Sequence, residues 1–516
     1  MIHADVIGER ARLSPDKTAL IYVPTNEHFT YRELDDRATR CARFWLERLS
    51  LSKGDRVGIL AKNSVEFLDG FLAAGKTGIV LVPLNTRLTS TELRTIVQDS
   101  GLRALHYGGE FIDTVKALKT NGNVESWVAF DKRAGESDFE YARTMREISP
   151  AGWASHPCDP EDLYCLLYTS GTTGVPKGVM LPHRMIAWNG YNTAICWQLG
   201  EDDVSPVFTP LYHAGGLSAF LIPIFTAGGT IILHRDFDAG EVWRAIEHHK
   251  CTVVLGVPTI YTMLWGAPER EHADLSHVRW FISGGAPLPT ALIDDYAKLG
   301  VVLKQGYGLT EVGVNCFSMS CEEALRKPGS IGKPLMFTEA MLGDAHPDES
   351  VGADAGELWL RGPHVSKGYW NKPEATALAI DSKGWFHTGD IARRDSEGFY
   401  YIVGRLKDMF ISGGLNVYPA EVESELLKHE AIRDVAVIGA PDATWGEVGV
   451  AFVVASHTAQ LSPESLKSFL ASRIAKFKIP REILFVDTLP RTPYGKVMKA
   501  ELQRMLHLES EKNKKT

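Results

Sequence analysis

Between Tyr168 and Met180 the chain reads YTSGTTGVPKGVM. Three glycines (Gly171, Gly174, Gly178), four hydroxyl residues (Thr169, Ser170, Thr172, Thr173) and Lys177 fall within ten positions after the apolar run Leu163–Tyr168. Glycines let backbone N–H groups approach a polyphosphate, hydroxyls add donors, and a lysine supplies a point charge. The loop therefore reads as a triphosphate cradle. A Walker A loop needs a glycine followed directly by Lys and then Ser or Thr. Here Lys177 follows Pro176 and precedes Gly178, which speaks against a P-loop ATPase.

Further along come SGGAPLP (283–289), QGYGLTEVG (305–313), GWFHTGD (384–390), GRLKDMFISGGLNVYPAEVE (404–423) and PRTPYGKVMK (490–499). With the opening loop, these motifs in this order resemble the ANL superfamily of adenylating enzymes: acyl-CoA synthetases, adenylation domains of peptide synthetases, and luciferases. The resemblance spans essentially the whole chain. It implies that ATP joins AMP to a carboxylate, with pyrophosphate leaving, and that a thiol then attacks the activated acyl carbon.

Carried over position by position, Thr169, Ser170, Gly171, Thr172, Thr173, Gly174 and Lys177 are expected to hold the β- and γ-phosphates. Gly285, Ala286, Pro287 and Tyr307 are expected around adenine, where an aromatic face suits a flat base, and Gly308 is expected in the same ATP site. Thr310 and Glu311 match the pair that touches the α-phosphate and holds Mg²⁺, a hard cation suited to carboxylate and phosphate oxygens. Asp390 is expected to accept the ribose hydroxyls, and Arg405 to bind ribose or phosphate. Lys496 matches the lysine that reaches the carboxylate and α-phosphate, where charge crowds in the transition state. His213 in TPLYHAGG matches an aromatic-x-His element beside the acyl and thiol tunnel, with Gly216, Gly284 and Gly306 on the acyl side. Gly413 and Gly414 match the loop that lines the pantetheine tunnel, and Lys407 the hinge.

The chain stops twenty residues after Lys496. A carrier domain is not expected, and free coenzyme A is the expected acceptor. Ile411 and Asn416 stand where coumarate-CoA ligases and luciferases usually have lysine and glutamine, which argues against those two groups. GLSAFLIPIF after His213 is apolar and offers no arginine for a second carboxylate. The resemblance is nearest to bacterial fatty-acid-CoA ligases, and a medium- to long-chain fatty acid is the expected substrate. Aryl acids such as ferulate or benzoate are the alternative. A catalytically silent acyl-nucleotide-binding protein on the same fold is a third reading, opposed by the presence of Lys496, Glu311 and Asp390.

Positioning such residues needs a large scaffold. At 516 residues the chain exceeds one ordinary core. With 44% hydrophobic and 23% charged residues it is globular in composition, and a formal charge of −9 gives no general attraction to nucleic acid. Seven scattered cysteines, odd in number and without a CxxC pair, read as free thiols. The charged N-terminus lacks a signal-peptide core, so a cytoplasmic location is expected. Ala214–Leu233 carries no charge, but Pro223 and Gly228-Gly229 divide it, which predicts a buried helix followed by a strand, not a membrane span.

Strand-like and helix-like runs alternate: RVGILA then SVEFLDGFLAAGKTG, TIILH then GEVWRAIEHHK, TVVLGV then TIYTMLW. That order predicts an α/β fold with mostly parallel sheets and flanking helices, and ligands at the carboxyl ends of strands. From about Leu358 short strands predict a small β-rich subdomain. A small mobile α/β domain follows, giving expected boundaries of 1–404, a hinge at 405–407, and 408–516. The expected partners are the acid, ATP and coenzyme A. Membrane contact is at most peripheral, and a homodimer is left open.

Overall fold

The computed structural model describes residues 4–120, 124–131, 138–169, 176–343, 354–456, 461–492 and 497–513. The alternating runs form the strand and helix pairs expected of them. Arg56–Leu60, Val80–Pro83, Ala104–Tyr107 and Ser126–Ala129 lie parallel in a seven-stranded sheet, with Leu163–Thr169 beside Val80–Pro83. Val80–Pro83 and Ala104–Tyr107 are buried along their whole length and Arg56–Leu60 beyond its first residue, so these strands read as near-continuous apolar runs. The intervening helices start at side-chain caps: Ser64 accepts from the Phe67 amide, and Asp238 accepts from the Glu241 amide. A four-stranded sheet holds Val204–Val207, Thr230–Leu233 and Thr18–Tyr22 in parallel. A three-stranded parallel sheet holds Val253–Gly256, Trp280–Ser283 and Leu303–Gln305.

The glycine-rich loop departs from a strand–loop–helix pattern. Leu163–Thr169 is followed by an antiparallel strand, Lys177–Pro182, and Thr169 pairs with Lys177 across the hairpin. The outer edge of Lys177–Pro182 is also bonded. Met180 N donates to Gly368 O at 2.9 Å, Lys367 N to Met180 O at 3.0 Å, and Trp370 N to Gly178 O at 2.8 Å.

The β-rich region begins earlier than its texture suggests. Glu339–Gly343 already pairs with Ala355–Arg361, and Phe386–Arg394 and Tyr400–Arg405 complete the antiparallel sheet. Beyond Arg405 a short 3-10 turn, Leu406–Asp408, leads to a second β-structure. Its centre is the hairpin Ile432–Asp442 with Gly446–Ala455. Side chains of the first strand alternate between two cores, Val435 and Val437 on one face, Ala436 and Ile438 on the other. Helices Pro419–Leu426 and Pro463–Ala471 cover the first face, and Lys499–Asn513 the second.

Ala214–Leu233 is a helix followed by a strand, and the helix is unusual. Gly215–Leu221 is a π-helix, continued by α-helix Ile222–Ala227. Pro223 explains the widening, because it has no N–H for a helical bond and its ring crowds the preceding turn. The carbonyls four and five residues back, Ala219 and Ser218, are instead served by side chains. Asn315 Nδ2 donates to Ala219 O at 2.8 Å, and Asn189 Nδ2 donates to Ser218 O at 2.6 Å. Among the described residues no helix is long and apolar enough to cross a membrane. All seven cysteines are free.

The segment after Leu303–Gln305 doubles back on itself, with Val314 N bonded to Leu309 O and Cys316 N to Tyr307 O. At Gly308 a Cβ would collide with the backbone carbonyl of Val314. Gly308→Ala is therefore expected to cost about 1–3 kcal/mol, as overpacking against a fixed backbone does. A thermal melt checks it, and an unchanged midpoint would mean that the two backbones can part.

Candidate active site

Glu311 lies in the 3-10 turn Thr310–Val312. The β-rich region holds that turn in place: Ser366 N donates to Glu311 O at 2.8 Å, and His364 Nδ1 lies 2.7 Å from Val312 O. The Glu311 carboxylate accepts from the Tyr369 hydroxyl at 3.0 Å on Oε1. Burial pushes its pKa up, with the charges of Arg405 and Lys177 pulling the other way. Lys177 Nζ stands 5.0 Å from the centroid of the Tyr369 ring. Tyr369 thus touches both the lysine of the glycine-rich hairpin and the buried glutamate. Sequence reading passed over Tyr369; its signal was the GYW stretch just upstream of a proline-started helix, Pro373–Ala379.

A second cluster joins Tyr307, Asp390 and Arg405. Asp390 is 3% exposed. Its Oδ2 accepts from the Tyr307 hydroxyl at 2.6 Å, and its Oδ1 from Arg405 Nε at 2.8 Å. Asp390 and Arg405 are also register partners in the antiparallel sheet. Burial and the neighbouring Asp390 carboxylate hold the Tyr307 hydroxyl in its protonated, donating form. The Tyr307 ring meets Phe317 edge-on at 5.7 Å.

Gly284, Gly285, Ala286 and Pro287 follow the carboxyl end of Trp280–Ser283, and Gly306 follows the neighbouring strand, its N–H bonded to Ser283 O at 2.7 Å. Gly308 lies in the same doubled-back segment. On the other side of Thr310 a narrow cleft runs between Leu181, Met185, Ile186, Ala214 and Val314, with Asn189 and Ser218 in its wall and Gly313 beside Thr310. Ala214 follows His213, whose Nδ1 accepts from Gly215 N at 3.2 Å. Gly216, in the π-helix, packs so closely on the Pro210 carbonyl that a Cβ has no room.

Gly413 and Gly414 occupy a two-residue turn between Phe410–Ser412 and Leu415–Val417, at φ 61° and 83°. Such a turn needs positive φ at both positions, which glycine supplies. The pair is exposed, and the Gly413 amide is bonded to Trp445 O at 2.9 Å. Its contacts are with Trp445 in its own β-structure. Lys407 is in the turn that follows Arg405. Ser170, Gly171, Thr172, Thr173, Gly174 and Lys496 lie outside the described residues. Close by, Lys499 Nζ is 3.6 Å from Asp408 and 3.4 Å from Glu423, which ties the chain just past Lys496 to the linker.

The profile of the AMP-binding enzyme family matches residues 7–370, and that of the AMP-binding enzyme C-terminal domain matches residues 421–496. The chain is an AMP-binding enzyme. Similarity to curated members runs nearly end to end. Feruloyl-CoA synthase of Amycolatopsis sp is 39% identical over 495 residues, covering 96% of this enzyme and 97% of that protein. The long-chain-fatty-acid–CoA ligase FadD13 of Mycobacterium tuberculosis is 38% identical over 509 residues, with coverage of 96% and 97%. Among solved structures, ATP-bound MatB from Rhodopseudomonas palustris matches with a TM-score of 0.87 at 32% identity, over 98% of this enzyme and 99% of that chain. The enzyme groups with the AMP-forming acyl-CoA synthetases.

Burial holds the His213 pKa down at about 4. Its folded value lies below the ordinary value of 6.5, so the unfolded chain binds the extra proton between the two. The stability His213 contributes is present above 6.5 and is lost as pH falls toward 4. The ring is therefore expected to stay neutral from about pH 6 to 8, its labelled imidazole carbon signals unchanged across that range. A titration midpoint near the ordinary histidine value would contradict this environment.

Proposed function

We propose that the enzyme activates a carboxylic acid and passes it to coenzyme A. A carboxylate oxygen attacks the α-phosphorus of ATP, the bond to the β-phosphate breaks, and pyrophosphate leaves. The thiol sulfur of coenzyme A then attacks the acyl carbon, the bond to AMP breaks, and the thiol proton passes to solvent. The observation that carries this reading is the chain of contacts from Lys177 through Tyr369 to Glu311, which sets a cation and a carboxylate next to Thr310, itself part of the lining of an apolar cleft.

In this reading Thr169–Gly174 and Lys177 hold the β- and γ-phosphates. Gly285–Pro287 and Tyr307 frame the adenine, with Gly308 in the same site, while Asp390 and Arg405 hold the ribose. Asp390 already accepts from Tyr307 and Arg405, and a carboxylate has acceptor sites to spare for ribose hydroxyls. Glu311 suits Mg²⁺, being an oxygen donor whose buried charge a divalent ion would stabilise. Among the described residues no group of three metal-binding side chains occurs, so nucleotide oxygens would complete the shell. The ion would neutralise phosphate charge. Neutral His213 would orient the acid, with Gly216, Gly284 and Gly306 beside it.

The apolar cleft walls Leu181, Met185, Ile186, Ala214 and Val314 support a fatty acid or another acid with an apolar body. Asn189 and Ser218 in the same wall also suit an acid that carries a polar group, as ferulate of the aryl-acid reading does. Pyrophosphate release across acids of graded length and aromaticity, with and without coenzyme A, tests the activity. Silence with every acid would reject it.

Two variants test the division of labour, on the reading that residues 408–516 rotate about 405–407 between steps. Lys496→Ala is expected to abolish acid-dependent pyrophosphate exchange and to spare thioester formation from supplied acyl-AMP; equal loss of both would make Lys496 structural. Proline fixes φ near −65° and restricts the residue before it. Lys407→Pro is therefore expected to leave adenylation and slow the thioester step, so that acyl-AMP accumulates. Normal thioester turnover by this variant would place the pivot elsewhere.

A further inference from the structure

The cleft beside Thr310 is not uniformly apolar. Asn189 is 1% exposed and Ser218 4% exposed. Asn189 Oδ1 and Ser218 Oγ are buried oxygens without a hydrogen-bond partner among the described residues. The Asn189 amide cannot be turned round to relieve this. A carbonyl only accepts, so the bond to Ser218 O requires the nitrogen on that side and leaves the oxygen on the other. The oxygen comes close to Gly313, where a Cβ would meet it at 3.3 Å, and Gly313 also lines the cleft.

Pro223 accounts for half of Asn189, since the amide nitrogen replaces the helical donor that proline lacks. It does not account for the oxygen, nor for the Ser218 hydroxyl. Buried polar atoms are nearly always bonded, and here two unsatisfied oxygens belong to residues that line one cleft. The cleft is too narrow in this structure to hold a free water. A ligand that parts the walls would bring the missing donor, and Met185 is a side chain that yields readily.

We propose that Asn189 Oδ1 and Ser218 Oγ form a polar subsite that recognises a hydroxyl group on the body of the acid, so that hydroxylated carboxylic acids are the preferred substrate class. A hydroxyl donates to the amide oxygen and accepts from the serine, filling both vacant bonds. The subsite rests on the acid-activating reading given above. It deepens that reading by separating acids of equal carbon skeleton, which apolar walls alone cannot do. A site built to bond a hydroxyl rejects the analogue without it far more strongly than an apolar pocket rejects a missing methylene.

The test is kcat/KM for acid-dependent pyrophosphate release with matched pairs: 4-hydroxycinnamate against cinnamate for a phenolic hydroxyl, and 8-hydroxyoctanoate against octanoate for an alkyl one. The wild-type enzyme is expected to favour the hydroxylated member of one pair by about tenfold or more, the worth of a good buried hydrogen bond, and the pair that responds identifies the source. In Ser218→Ala that ratio is expected to collapse toward one, chiefly through KM. Turnover of all four acids with no preference in either pair would overturn the subsite and leave acid activation standing. A preference that survives Ser218→Ala, or a variant that slows both members equally, would also overturn it. No release with any acid would overturn the acid-activating reading, and the subsite with it. The wild-type comparison needs no variant, so the outcome is readable even if Ser218→Ala folds poorly.

Discussion

Most of the site hangs on one strand bonded along both edges. Lys177–Pro182 pairs inward with Leu163–Thr169 and outward with residues 367–370. The first pairing fixes where the glycine-rich hairpin leaves the large sheet. The second carries Tyr369 to Lys177 and, through its hydroxyl, to Glu311. Backbone hydrogen bonds set this geometry to within a register step, and a slip of one residue would turn every side chain to the opposite face. Three segments distant in sequence therefore meet through backbone pairing and the side chain of Tyr369.

The second fixed point is electrostatic. Asp390 is almost wholly buried, and an isolated carboxylate there would be costly. Arg405 and Tyr307 make it tolerable, and the antiparallel pairing of Asp390 with Arg405 means that the sheet itself brings the charges together. Arg405 is also the last residue of that sheet before the linker turn. The start of the turn Leu406–Asp408 is thus tied to the Tyr307 and Asp390 cluster.

The large architecture was legible because parallel strands and their helices have long, repetitive signatures. Pro223 and Gly228-Gly229 were enough to separate helix from strand in an uncharged stretch. Local departures were harder to read. Glu339–Gly343 has few strand formers, and its place in the sheet comes from pairing with Ala355–Arg361, a long-range fact. The strand Lys177–Pro182, antiparallel to Leu163–Thr169, is bonded on its outer edge by Gly368 and Trp370, nearly 200 positions away. In the candidate site, Lys177, Tyr307, Glu311, Asp390 and Arg405 stand in motifs visible in the sequence, and the fold gathers them into two clusters. Tyr369, Asn189 and Ser218 were passed over, since each is a common residue type whose meaning comes from what the fold leaves unsatisfied around it.

The π-helix Gly215–Leu221 also bears on how such a cleft can change over time. Successive side chains of an α-helix turn by about 100°, and a π turn takes up an additional residue. Loss of one residue between Gly215 and Leu221 would return the segment to α register. Pro223 and the strand Thr230–Leu233 could stay where they are, while the residues ahead of them rotated against the cleft. Deletions inside buried helices usually ruin a core, but here the slack is already built in. Chain length at this place is therefore a route by which a lineage can reshape the cleft while the Glu311 and Asp390 clusters stay where they are.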